Sequence, residues 1–152
     1  MKKIFVIAAA GMIAGTGAFA DSHADIALGE KTFKKCKACH TVSNGDEVIF
    51  KGGKTGPNLY GVIGRQAGSF DGYKYSPSLA AAGEEGLIWD EESLATFISN
   101  PKEFLKEYNG DSKAKSKMSY KLKKGGEDLA AYLASVGPVM DEAAAEESLA
   151  TQ

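Results

Sequence analysis

The 152-residue sequence predicts an all-α domain of short helices wrapped around a prosthetic group, and three observations predict it. Five stretches carry helical spacing with start or stop signals at their ends. None is long enough to be stable alone in water, and few large aliphatic residues are available to build a core between them. The third observation names the missing centre. Cys36-Lys37-Ala38-Cys39-His40 has two thiols flanking two residues with a histidine directly after, the attachment pattern of a c-type haem. Each thiol can add across a vinyl group to form a thioether, and the adjacent imidazole is then held against the iron. One haem, bound covalently through Cys36 and Cys39, is therefore expected, with His40 as an iron ligand.

Other readings of the motif fit less well. A zinc site needs about four Cys, His or carboxylate ligands. These are the only two cysteines, and the second histidine, His23, lies far from the motif near the start of the chain. A thioredoxin-like pair needs a strand leading into a helix, whereas the flanks read as helix and then loop. A structural disulfide would leave His40 without a purpose.

Residues 1–20 are expected to be a cleaved signal peptide. Lys2 and Lys3 precede an apolar run from Ile4 to Ile13, and Ala18-Phe19-Ala20 fits the small-x-small cleavage rule. The run is too short to cross a bilayer as a stable helix, so no membrane insertion is expected. The exported product would begin at Asp21, with the periplasm as its compartment. Loss of Lys2 and Lys3 lowers Lys plus Arg from 18 to 16 against 20 acids, a net charge of about −4. Four of those acids, Asp141, Glu142, Glu146 and Glu147, fall in residues 141–152, an Ala- and Glu-rich tail whose composition predicts disorder. The domain itself is assigned to residues 21–140. Its charges balance, which gives no basis for nucleic-acid binding.

Along the domain, Asp25 caps a first helix reaching Lys35, with Ile26, Gly29 and Phe33 on one face. Residues 41–56 read as a loop with turns at Asn44-Gly45 and Gly52-Gly53, and Val48-Ile49-Phe50 as a short extended piece within it. The segment Thr55–Gly61 is too broken for a regular element. Ser76-Pro77 opens a short helix to Ala82, stopped by Gly83. Asp90 caps the next, with Glu91 and Glu92 at its positive end and Leu94, Phe97 and Ile98 on its apolar face. That helix ends near Asn100, because Pro101 disfavours helical geometry in the residue before it. Pro101 starts another helix to about Tyr108. Residues 109–126 form a long lysine-rich loop, a feature more often functional than not. The last helix runs from Glu127 to Val136, with Leu129, Tyr132, Leu133 and Val136 available for packing, and Gly137-Pro138 stops it.

A second axial ligand would come from Met118, Met140 or His23. His23 lies near the exported start and Met140 lies after the last helix stop, whereas Met118 sits in the long loop and is the preferred choice.

Gly29-x-x-x-Phe33, the haem motif, Thr55-Gly56-Pro57-Asn58-Leu59-Tyr60-Gly61, Gly64-Arg65, Gly72-Tyr73-Lys74-Tyr75, Trp89, Asn100-Pro101 and Lys117-Met118 follow in that order. Together, over about residues 25–137, they resemble the monohaem cytochrome c family, in particular bacterial cytochrome c2 and the Paracoccus-type cytochrome c550. The resemblance implies the small cytochrome c fold, with the first and last helices crossing where Gly29 and Phe33 meet Leu129 and Tyr132. It implies His40 and Met118 as axial ligands, the Pro57 carbonyl as hydrogen-bond acceptor for the His40 ring, and Arg65, Tyr75, Trp89 and Ser116 around the haem propionates. Phe97 departs from the family, which commonly has a tyrosine there whose hydroxyl bonds the methionine sulfur.

The function implied is that of a monomeric one-electron carrier and not an enzyme. Its donor would be a cytochrome bc1-type membrane complex, and its acceptor a reaction centre, a cytochrome oxidase or a denitrification reductase. The alternative is a haem sensor or a peroxidase-like enzyme, which would need an open or displaceable iron position. Lys35, Lys37, Lys54, Lys102, Lys117, Lys121 and Lys123 would make a basic face around the haem edge for docking to acidic partners.

Overall fold

The computed structural model describes residues 24–138. The expected signal peptide, the acidic tail, His23 and Met140 lie outside them. Within them the chain forms α1 (Ile26–Phe33), a hairpin of β1 (Val42–Asn44) and β2 (Glu47–Phe50), α2 (Pro77–Glu84), α3 (Glu91–Ser99), α4 (Pro101–Tyr108) and α5 (Gly126–Ser135). The first and last helices cross, α3 packs on both α4 and α5, and α2 packs on α4.

The crossing depends on Gly29. A Cβ there would stand 2.0 Å from the Asp128 carbonyl oxygen and 2.7 Å from the Tyr132 Cβ, so only a glycine lets the two backbones meet. Asp25 caps α1 through the Leu28 N–H at 2.9 Å, while its own N–H donates to the Asp128 carboxylate at 2.9 Å. Phe33 is fully buried, edge-on to Phe50 at 4.7 Å and tilted against Tyr132 at 5.9 Å. The expected apolar face is corrected at one position. Thr32 is buried with Gly29 and Phe33, while Ile26 stays 49 % exposed.

Residues 41–56 are more ordered than a loop. β1 and β2 pair antiparallel through a two-residue turn at Gly45-Asp46, and the positive φ of 57° at Gly45 alone is the II′ pattern that suits hairpin twist. Only Val42 is buried and Phe50 half-buried, while Val48 and Ile49 face solvent.

The expected stop of α2 is also corrected. Ser76 and Pro77 start the helix as anticipated, the Leu79 N–H donating to the Ser76 hydroxyl at 3.3 Å. Gly83, however, lies inside the helix. Its missing Cβ would fall 1.9 Å from the Ala67 carbonyl oxygen, so the glycine is there to admit a neighbouring strand of chain. The helix ends one residue later at Glu84, with Glu85 as its cap before Gly86, whose φ is 99°.

The start of α3 is a reciprocal capping box: the Ser93 N–H donates to the Asp90 carboxylate at 2.7 Å, and the Asp90 N–H donates to the Ser93 hydroxyl at 3.1 Å. α4 begins at Pro101 and closes at Tyr108, as its sequence signals require. The long loop that follows is pinned at intervals. Asn109 donates to the Ser78 carbonyl at 2.7 Å, the Lys115 N–H donates to the Ser78 hydroxyl at 2.9 Å, and the Leu122 N–H donates to the Ile98 carbonyl at 2.8 Å. Ala114 and Leu122 are buried on either side of Met118. The loop is thus a strap, plugged into the core at both ends.

Many of the buried side chains pack on one another and still border a hollow. Val62, Trp89, Leu94, Phe97, Ile98, Leu129 and Leu133 are buried and also line a single cavity of about 360 Å³. This is the room that the thin aliphatic core leaves.

Candidate haem-binding site

The cysteine–histidine motif continues the helical winding of α1. The Cys36 N–H donates to the Phe33 carbonyl at 2.8 Å, and the N–H groups of Cys39 and His40 both donate to the Cys36 carbonyl at 3.0 Å. With residues three and four apart on one helical face, Cys36, Cys39 and His40 all reach the cavity wall. The two cysteines are not joined to each other in a disulfide, and among the described residues no three of His, Cys, Asp and Glu gather as a metal cluster. Burial pushes the Cys36 thiol up to about 11, with the neighbouring Lys35 pulling the other way.

His40 is held by its surroundings. Its Nδ1 lies 2.8 Å from the Pro57 carbonyl oxygen. A carbonyl can only accept, so Nδ1 carries the proton and Nε2 keeps its lone pair. Burial lowers the pKa of the ring and the Pro57 bond partly opposes this. A glycine-rich segment grips the motif from outside. The Gly53 N–H donates to the Lys37 carbonyl and the Gly56 N–H to the Cys39 carbonyl, both at 2.8 Å. A Cβ on Gly56 would stand 2.4 Å from the His40 Cε1, so the ring is seated against bare backbone.

On another wall, Ser116, Met118 and Tyr120 come from the strap. The Met118 N–H donates to the Ser116 hydroxyl at 3.1 Å, leaving the Ser116 proton free to donate elsewhere. Arg65, Tyr75 and Trp89 also line the cavity. Arg65 is oriented by backbone: it donates to the Tyr60 carbonyl at 3.2 Å and the Asn58 carbonyl at 3.0 Å, and lies 5.0 Å over the Phe70 ring. Burial draws its pKa down, opposed by Tyr75. Burial raises that of Tyr75, opposed first by Arg65. Trp89 is delivered by an antiparallel crossing of two chain segments, its N–H donating to the Arg65 carbonyl at 3.0 Å. Phe97 packs 5.0 Å from Trp89 and 5.6 Å from Phe104, and lines the cavity without a hydroxyl.

All nine residues expected at the site, Cys36, Cys39, His40, Pro57, Arg65, Tyr75, Trp89, Ser116 and Met118, border this one cavity. Other features were not expected. Asn58 knits the hairpin to the site, donating to the Ser43 carbonyl at 2.7 Å and accepting from the Ser43 and Tyr60 N–H groups at 3.1 Å each. Its place in an irregular, turn-rich segment was the available signal. The apolar floor from α3 and α5 was legible as helix faces but not as a cavity lining. At the crossing, Tyr132 and Asp128 flank Gly29, whereas Leu129 joins the cavity lining. Lys123 borders a separate groove between α3 and α5 rather than this cavity.

An apolar cavity bordered by two thiols, an imidazole of fixed tautomer and a methionine, with a cation and hydroxyls at its edge, fits a covalently bound haem. The fold and site define a small class I c-type cytochrome. No family model matches the chain, but individual relatives do. It is 60 % identical over 113 residues to cytochrome c-551 of Roseobacter denitrificans, covering 74 % of this chain and 81 % of that one. It is 51 % identical over 138 residues to cytochrome c2 of Rhodobacter capsulatus, covering 88 % and 98 %. The solved structure of ferric cytochrome c-550 from Paracoccus versutus matches with a TM-score of 0.73 and 48 % identity, over 75 % of this chain and 98 % of that one. The chain belongs to the cytochrome c2/c-550 family of electron-transport haem proteins and carries one covalently bound haem c.

Proposed function

We propose that the chain is a periplasmic one-electron carrier whose haem is attached at Cys36 and Cys39 and ligated by His40 and Met118. One observation carries the reading: a histidine whose proton is fixed on Nδ1 and the strap methionine border the same apolar cavity. The haem supplies the chemistry, a one-electron change at its iron. The chain supplies the setting. Pro57 orients the ring and raises its basicity. The apolar walls exclude water, and a thioether ligand favours the reduced state. Arg65, Tyr75, Trp89 and Ser116 offer the charge and donors that buried propionates need. With His40 and Met118 both holding the iron, no position would remain for a substrate, and the protein would act as a carrier rather than an enzyme.

Residues 1–20 serve as the export signal, residues 21–140 as the carrier domain and residues 141–152 as an acidic tail. The donor is a membrane complex of the cytochrome bc1 type and the acceptor a reaction centre, an oxidase or a denitrification reductase. Among the described residues no helix is long and apolar enough to cross a membrane. The test of the ligand set is Met118→Ala. The oxidised variant should lose the weak far-red band of His/Met haem, and the reduced variant should bind carbon monoxide. Loss of the band in Met140→Ala with retention in Met118→Ala would overturn the assignment. Rapid carbon monoxide binding to the unaltered reduced protein would favour a ligand-binding haem protein instead.

A further inference from the structure

His23 takes no part in the carrier chemistry. It lies outside the described residues, but its position in the chain is informative. With residues 1–20 removed, the chain begins Asp21-Ser22-His23-Ala24-Asp25. The Asp21 α-amine, the amide nitrogens of Ser22 and His23 and the His23 Nδ1 are then joined by short covalent links. All of them can close on one ion as fused chelate rings. Neither Ser22 nor His23 is a proline, so both amides have a proton to give up. Nitrogen donors in one plane suit Cu(II) and Ni(II), whereas Zn(II) prefers a tetrahedral set. A merely solvated histidine would account for the residue but not for its register with the amine.

The described structure begins its own demands just after this segment. The hydrogen-bond ladder of α1 opens at the Asp25 carbonyl, which accepts from the Gly29 N–H at 2.8 Å. The Asp25 carboxylate caps the helix through the Leu28 N–H, and the Asp25 N–H donates to the Asp128 carboxylate. The helix start and the long-range tie thus both begin at Asp25, with Ala24 between it and His23. Neither draws on the Ser22 or the His23 amide, so a metal seated on residues 21–23 would leave the cap and the crossing intact.

We propose that the exported chain carries a second metal site, separate from the haem. It is an amino-terminal clamp for a square-planar divalent ion, made by the Asp21 amine, the Ser22 and His23 amides and the His23 ring. Cu(II) is its preferred occupant, because it binds nitrogen sites more tightly than the other divalent first-row ions. The clamp rests on the reading of residues 1–20 as a signal removed after Ala20. On binding, the ammonium proton and both amide protons pass to water, and the freed nitrogen lone pairs bond the metal. Anionic amide nitrogens favour Cu(II) over Cu(I), which prefers thiolate and thioether sulfur. The clamp would thus hold copper in its oxidised state without drawing the electron that the haem carries.

The test uses the haem-loaded protein recovered after export, with the amino terminus of parent and variants read by mass spectrometry. Cu(II) is added, the protein is desalted in excess glycine, and the retained copper is measured together with its electron paramagnetic resonance. The expected result is about one Cu(II) per chain, with the nitrogen hyperfine structure of a square-planar site and an unchanged haem spectrum. His23→Ala should lose the ion. Ser22→Pro, which keeps the ring but removes an amide proton, should lose it too, and so should a chain with an alanine inserted before Asp21. Ser22→Ala should keep it, and excess Zn(II) should not displace it. Copper retained by His23→Ala, by Ser22→Pro or by the extended chain would overturn the clamp. A parent that begins at Asp21 and retains no copper would overturn it with the export reading intact. A terminus other than Asp21 would overturn the cleavage reading and the clamp together.

Discussion

Replacing Gly56 by alanine tests whether the His40 ring is gripped as tightly as the geometry requires. The new Cβ would stand 2.4 Å from Cε1, 2.7 Å from Nδ1 and 2.8 Å from Nε2. Ordinary contact begins near 3.4 Å, so either the ring or the glycine segment must withdraw by about 1 Å. If the ring moves, its 2.8 Å bond to the Pro57 carbonyl stretches out of hydrogen-bond range. If the segment moves, the 2.8 Å bond from the Gly56 N–H to the Cys39 carbonyl breaks instead. Either route loses one hydrogen bond, about 1 kcal/mol, and adds overpacking of about 1–3 kcal/mol. The expected destabilisation of the haem-loaded protein is therefore about 2–4 kcal/mol, read as a lowered midpoint in guanidinium unfolding. Redox titration tells which side gave way. A ring without its carbonyl partner is a weaker electron donor, so the oxidised iron loses support and the potential rises. Lost stability at an unchanged potential means that the segment yielded. A variant with the parent's midpoint and potential would refute the grip altogether.

Three other expectations follow from particular contacts. Phe97→Tyr should raise the reduction potential modestly, because a hydroxyl in the cavity that reaches the Met118 sulfur withdraws electron density from it; an unchanged or lowered potential counts against that contact. Asp90→Ala should cost about 1 kcal/mol by removing the α3 cap. The Ser93 hydroxyl, and after it the Ser93 N–H, hold the Asp90 carboxyl below its ordinary value. Its contribution is therefore complete above that ordinary value and lost as pH falls through the lower folded one, so parent and variant should converge in acid unfolding, and a constant gap down to the acid limit would contradict the cap. Lys35→Glu, at the cavity rim, should slow reaction with acidic membrane partners at low salt, the difference shrinking as salt rises; stopped-flow rates that are flat across a salt series would remove the steering argument.

The helix starts were legible because each rests on local chemistry. Asp25, Ser76-Pro77, Asp90 and Pro101 cap or open their helices within three or four residues of sequence. The cysteine–histidine motif was legible for the same reason. Gly83 was misread because a glycine that ends a helix and a glycine that admits a neighbour look alike until the neighbour, here Ala67, is in place. The hairpin lacked the alternation that marks a strand, since Val48 and Ile49 both face solvent. Lys117 is an exposed cation whose ammonium donates to the Lys74 carbonyl, and a main-chain acceptor is something no pattern of side chains announces.

The crossing at Gly29 also governs when the molecule can exist. The bond from the Asp25 N–H to the Asp128 carboxylate closes a span of 103 residues, nearly the whole described chain. Bringing such distant ends together costs about 4 kcal/mol of chain entropy before any contact repays it. If the chain is exported as proposed, its cysteine–histidine motif would emerge early, while the helix that closes the crossing would arrive last. Closure of the α1–α5 crossing would then wait on the last helix, leaving the cysteines accessible until it arrives.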